Sequence, residues 1–136
     1  MTLRERGKVV HDKSVRKGVL GSYTMTVGAE AANAITVNVQ ALDEAGNEMA
    51  EGCQAAWWLS TDSAGQAIST APSGGTAAGT DGHLIEWTAQ ISGLAVFEAD
   101  GDADFVLTDT ATRNIYLNIG LPDGTFQTSG VLAFST

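Results

Sequence analysis

A single cysteine, Cys53, stands in this chain, so an internal disulfide is excluded and the fold must hold without a covalent staple. Cys53 follows Gly52 and precedes a strand pattern, and reads as a small buried apolar residue. No run of about 18 apolar residues occurs, which excludes a membrane-spanning helix, and the basic N-terminus lacks the continuous apolar stretch of a secretion signal. The expectation is synthesis and residence in a reducing cytosol. No segment sustains a 3.6-residue apolar period, so helix is minor. Two prolines and sixteen glycines fit neither a low-complexity nor a fibrous chain.

Catalytic signatures are scarce too. His11 and His83 lie far apart and only Cys53 could join them, so neither a zinc set nor a thiol dyad is expected. No serine sits in a G-x-S-x-G context. The Gly-rich stretch 73–82 is followed by no lysine and no helix, which removes a phosphate loop. Glu86 and Glu98 are the pair weighed for glycoside cleavage, but the chain is small and lacks the loops of a deep cleft. A non-enzymatic protein without a cofactor is expected.

What the sequence has is alternation. Asp100-Gly101 reads as a turn feeding a strand in which Ala103, Phe105 and Leu107 alternate with Asp104, Val106 and Thr108. Ile35, Val37, Val39 and Ala41 alternate with Thr36, Asn38 and Gln40, the cleanest two-residue period in the chain. Tyr23, Met25 and Val27 form an earlier strand, and Ile115, Leu117 and Ile119 a later one with Tyr116 and Asn118 outward. In Gln54–Ser60, Ala55, Trp57 and Leu59 share the core face, which puts Trp58 on the outer one. Ile85, Trp87, Ala89 and Ile91 are expected inward, with Glu86, Thr88 and Gln90 outward. Stretch 61–82 is read as a long surface loop with at most one strand, at 66–70, and 128–135 as the closing strand. Seven to nine short strands punctuated by glycine make an all-β chain, a single antiparallel β-sandwich.

Charge divides the chain. Residues 1–17 carry six basic side chains against two acidic, net +4; from residue 18 onward Arg113 stands against fourteen acids, net −13. The body should repel nucleic acid and anionic membrane, and the N-terminal segment should seek acidic surface. Valines and leucines interleave with its charges, as in a segment that docks. Asp100, Asp102 and Asp104 are the weak calcium candidate, since clustered carboxylates suit hard cations. Counted from Asp100, however, the calcium-loop positions for Gly and Glu hold Phe105 and Ala111. The acids are read as a solvated rim that discourages edge-to-edge pairing, and no metal is assigned.

The wording of 79–82, 99–108, 114–119, 121–124 and 129–134 resembles immunoglobulin-like β-sandwich proteins of tailed bacteriophages: Gly79-Thr80-Asp81-Gly82, Ala99-Asp100-Gly101-Asp102-Ala103-Asp104-Phe105-Val106-Leu107-Thr108, Asn114-Ile115-Tyr116-Leu117-Asn118-Ile119, Leu121-Pro122-Asp123-Gly124 and Ser129-Gly130-Val131-Leu132-Ala133-Phe134. The resemblance covers roughly residues 34–136. It implies an immunoglobulin-like fold over 23–136 behind a docking arm, 1–22, and a virion structural role on the capsid exterior after synthesis in the host bacterial cytoplasm. The expected function is a capsid decoration or cement protein that binds the major capsid protein and neighbouring copies of itself. Arg4, Arg6, Lys8, Arg16 and Lys17 would supply charge, Val9 and Val10 burial, and Trp58 a contact between copies. The alternative is a carbohydrate-binding or host-adhesion module of a tail or head fibre, with Trp58 and Tyr116 as stacking platforms beside the 71–82 loop.

Overall fold

The computed structural model describes residues 18–135 and the backbone of 3–5 and 8–10. Strands β1 (Leu3–Glu5) and β2 (Lys8–Val10) pair antiparallel with each other. The remaining strands are β3 (Leu20–Val27), β4 (Ala34–Asp43), β5 (Gln54–Ser60), β6 (Gly75–Ala78), β7 (His83–Thr88), β8 (Ser92–Val96), β9 (Asp102–Thr108), β10 (Arg113–Gly120), β11 (Phe126–Thr128) and β12 (Leu132–Phe134). They form two antiparallel sheets. One runs β3-β4-β9-β6, the other β11-β10-β5-β8-β7 with β12 also on β10. Ten strands therefore build the sandwich, against the seven to nine expected. Their order matches the immunoglobulin constant-type arrangement, A-B-E-D against G-F-C, with β7 and β8 as an inserted hairpin that widens the second sheet beyond β5.

The expected inward sets of β4, β5, β9 and β10 are all buried. Trp57 of β5 meets Phe105 of β9 edge to face across the two sheets, ring centres 5.7 Å apart, and Tyr23 of β3 stacks on Phe97 at 5.6 Å. Cys53 packs against this core half-buried, and burial pushes its thiol pKa up, so it stays protonated at neutral pH. The Asp100-Gly101 turn is present: Gly101 N–H donates to Glu98 O at 2.8 Å with φ +76°, and a Cβ there would lie 2.8 Å from that of Met49.

Both open sides of the sandwich are closed by a glutamine amide that imitates a backbone partner. Gln127 of β11 accepts from Tyr23 N–H at 3.0 Å and donates to Tyr23 O, joining the outermost strands of the two sheets on that side. On the other side Gln90, at the tip of the β7–β8 hairpin with φ +66°, accepts from Thr76 N–H of β6, and its carbonyl accepts from the Thr76 hydroxyl at 2.9 Å. Edge groups that would otherwise need water or another chain are thereby satisfied.

Three expectations fail. The strand within 61–82 is β6, at 75–78; segment 66–70 gives only an isolated bridge, Ser60 with Ile68. The closing strand is broken between β11 and β12, where the Ser129 hydroxyl takes the N–H of Leu117 at 3.0 Å in place of a ladder carbonyl. In β7, Ile85 and Trp87 are exposed, and Leu84 is the residue that packs against the core. The strand lies at the sheet edge with its register shifted between Glu86 and Thr88, so Trp87 sits at a bulge and drops out of the alternation.

Candidate functional site

The two outer faces of the sandwich are the surfaces with chemical character, and they are unlike. On the four-stranded sheet, the inward set of β4 forces Asn38 outward, opposite Asp104 of β9. Its amide donates to Asp104 Oδ1 at 2.6 Å and to Asp102 Oδ1 at 3.0 Å, while the Thr80 hydroxyl donates to Asp104 Oδ2 at 3.0 Å. Asp104 N–H donates to Asp81 O at 3.0 Å, which brings a third carboxylate over the strand. Oxygens of Asp81, Asp102 and Asp104 lie within 4.8 Å of one another. Asp100 plays a different part, accepting from Asp102 N–H at 3.3 Å within the turn.

Crowding raises two of these carboxyls. Asp81 is held above the usual carboxylate range first by a hydrogen bond shared with Glu98, and Asp102 first by burial and then by a hydrogen bond shared with Asp81, which the Asn38 amide partly offsets. A hydrogen bond between two carboxyl groups exists only while one carries a proton. The cluster thus relieves its repulsion by taking up protons. Its oxygens are of the type hard cations use, though Asn38 and Thr80 already occupy several. The sequence reading missed Asp81, whose one signal was the Asp81-Gly82 turn; nothing there tied it to β9.

The outer face of the other sheet is apolar. By register, one row runs from β11 through β10, β5 and β8 to β7: Phe126, Gly120, Ala56, Leu94 and Ile85. The adjoining row holds Thr128, Asn118, Trp58, Ser92 and Thr88. Trp58 faces outward as expected, but half-buried: its indole N–H donates to Gly65 O at 2.9 Å and its ring meets Phe126 edge to face at 5.0 Å. The loop carrying Gly65 also covers Asn118, whose amide donates to Ser60 Oγ at 2.9 Å and accepts from Thr128 Oγ1 at 2.7 Å. Tyr116 lies opposite Ser60, diagonal to Trp58. The open apolar groups are Trp87 at 65% exposure, Ile68 at 61%, Ile85 at 51% and Phe126 at 41%. No position in these two rows carries a charge. The signal for this face was in the sequence, as the choice between two alternating sets in 83–88; the heavier set was assigned inward because burial usually claims it.

Arg113 is the one lysine or arginine among residues 18–135. It is committed internally: Nε donates to Asp109 Oδ2 at 2.8 Å, Nη1 to Thr70 Oγ1 at 2.7 Å, and Nη2 to the carbonyls of Thr70 and Ala71 at 3.2 and 3.1 Å. Burial works against ionisation of Asp109, but the Ala111 N–H and Arg113 outweigh it and hold the carboxyl below its usual range. Arg6, Arg16 and Lys17 fall outside the described residues, as do the side chains of Arg4, Lys8, Val9 and Val10. Leu20 opens β3, inside the segment 1–22 assigned to the arm, and Glu44 N–H donates to Val19 O at 2.9 Å.

No family model, curated protein or solved structure matches this chain.

Proposed function

We propose that the chain is a non-enzymatic structural protein of a tailed-phage virion, a capsid decoration or cement protein that attaches to the outer shell through its basic N-terminal segment. The observation that carries the reading is the division of charge: net +4 over residues 1–17 and −13 beyond them. The one basic side chain of the sandwich is consumed by Asp109 and the 70–71 carbonyls, so attraction to an acidic shell falls to Arg4, Arg6, Lys8, Arg16 and Lys17. The resemblance in 34–136 supplies the virion setting. A carbohydrate platform at Trp58 and Tyr116 is less well supported, because Trp58 has its N–H taken and one flank against Phe126.

Co-sedimentation with phage capsid shells lacking this protein tests the reading. The full chain should bind, binding should weaken as salt rises from 50 to 500 mM, and the full chain with Arg4, Arg6 and Lys8 changed to Glu should lose it. Failure of the unaltered chain to bind, or binding indifferent to both changes, would sink the proposal.

A further inference from the structure

We infer that the apolar outer face of the six-stranded sheet is an interface between two copies of this chain. The face is continuous by register from Phe126 through Gly120, Ala56 and Leu94 to Ile85, with Trp87 exposed at the bulge beside Ile85 and Ile68 exposed beside Ser60. Its four most open side chains alone leave on the order of 400 Å² uncovered, a size at which apolar patches mark interaction surfaces. Half-buried Leu94, Val96, Trp58 and Ala56 extend it toward the roughly 800 Å² per partner of a standard interface.

Charge selects the occupant. The basic N-terminal segment finds no counter-charge in these rows, whereas the opposite face offers Asp81, Asp102 and Asp104. Two bodies of net charge −13 repel through most of their surface, and along these two rows they approach without opposing acids. The row also suits itself. On one side of Ala56 the row holds Leu94 and then Ile85, and on the other Gly120 and then Phe126. A two-fold axis lying over the face and parallel to β5 sets Leu94 of one copy above Gly120 of the other and Ile85 above Phe126. The inference stands apart from the virion reading, since it needs no shell.

Sedimentation equilibrium of the full chain over micromolar to millimolar concentration tests it. The unaltered protein should show a monomer–dimer equilibrium, unchanged or tightened by salt. That is the reverse of the salt response expected of shell binding, so the two proposals fail separately. Trp87→Asp should weaken the dimer at least tenfold with an unchanged circular-dichroism spectrum, and Ile85→Thr by a smaller factor. Thr24→Asp, on the outer side of β3 in the other sheet, should leave it intact. A protein monomeric up to millimolar concentration, a dimer indifferent to Trp87→Asp, or a dimer broken by Thr24→Asp would each overturn the inference. So would a monomer that binds a glycan array through Trp87, which would place a carbohydrate on this face.

Discussion

The two outer faces are built on sheets of one sandwich and over one core, yet they handle water in opposite ways. The β4–β9 face carries carboxylates close enough to share protons, and two adjoining rows on the other face carry no charged residue from β11 to β7. Neither face decides the fold, because the inward sets of β4, β5, β9 and β10 do that from the other side of each strand. Outward positions are left for other uses. A sandwich built this way can concentrate negative charge on one surface, and so remain soluble, while leaving the other free of like-charge repulsion.

The largest expected effect lies off both faces, where β9 passes to β10 around the one lysine or arginine of residues 18–135. Arg113→Ala would leave Asp109, whose side chain is 2% exposed, without its ionic partner and would release the Thr70 and Ala71 carbonyls. A loss of about 3 kcal/mol is expected, because removing one member of a buried pair strands the other charge. Urea denaturation at pH 7 measures it, and a loss under about 1 kcal/mol would mean that Asp109 is satisfied without Arg113. Asn38→Leu comes next. It removes the amide that bridges Asp102 and Asp104, and a cost of about 1.5 kcal/mol at pH 7 is expected from two charge-assisted bonds. The cost should shrink as pH falls through the raised value of Asp102, where protonation relieves the same repulsion.

Protonation itself separates the two kinds of acid. Asp81 and Asp102 have raised folded-state values, so the native state binds protons more readily than the unfolded chain, and their contribution is fully present below the ordinary carboxylate value of about 3.9 and lost as pH rises through the folded values. Asp109 behaves in reverse: its contribution is present above that ordinary value and lost as pH falls through its lowered one. Thermal stability should therefore rise as pH falls through the raised values of Asp81 and Asp102 toward the ordinary carboxylate value of about 3.9, and fall again below it as Asp109 takes up a proton. Asp102→Asn should flatten the first slope and stabilise the protein at pH 7 by on the order of 0.5 kcal/mol, the scale of a partly exposed charge interaction. A melting temperature that falls monotonically from pH 7 downward would show that the cluster does not share protons.

The core was legible in the sequence and the faces were only partly so, for one physical reason. Alternation states that two sets of side chains point opposite ways, and hydrophobicity is then used to say which set is inside. In β4 Thr36, Asn38 and Gln40 make the outward set mainly polar, and in β9 Asp102, Asp104 and Thr108 outnumber Val106, so the assignment holds. In β7 both sets contain an apolar residue, the strand lies at an edge, and a bulge at Trp87 adds a residue that the period does not count. Trp57 and Trp58 were told apart because Gln54 and Ser60 flank the outer set. The acidic cluster shows a second limit. Asp102 and Asp104 share a strand and were read together, but Asp81 joins them through Asp104 N–H, a contact across more than twenty residues that leaves no local signal. Gln90 and Gln127, which close the sandwich, are equally silent, since any outward glutamine has the same local appearance.

The smallest expected effect sharpens the comparison most. Trp87 is the most exposed of the large apolar side chains among the described residues, so Trp87→Thr should change monomer stability by less than about 0.5 kcal/mol. Its effect on the unaltered protein's concentration dependence should be larger. If the apolar face joins two copies, mass action makes the native state more stable as protein concentration rises, and the melting temperature climbs with it. In Trp87→Thr that climb should flatten while the value at the lowest concentration stays put. Asp102→Asn should do the opposite, raising the melting temperature by the same amount at every concentration, because its gain lies within one chain. Scanning calorimetry of both variants over a hundredfold range of concentration separates the faces by the form of their response. A climb that survives in Trp87→Thr would leave that face with no role in assembly and reduce it to an apolar surface that the acidic one keeps in solution.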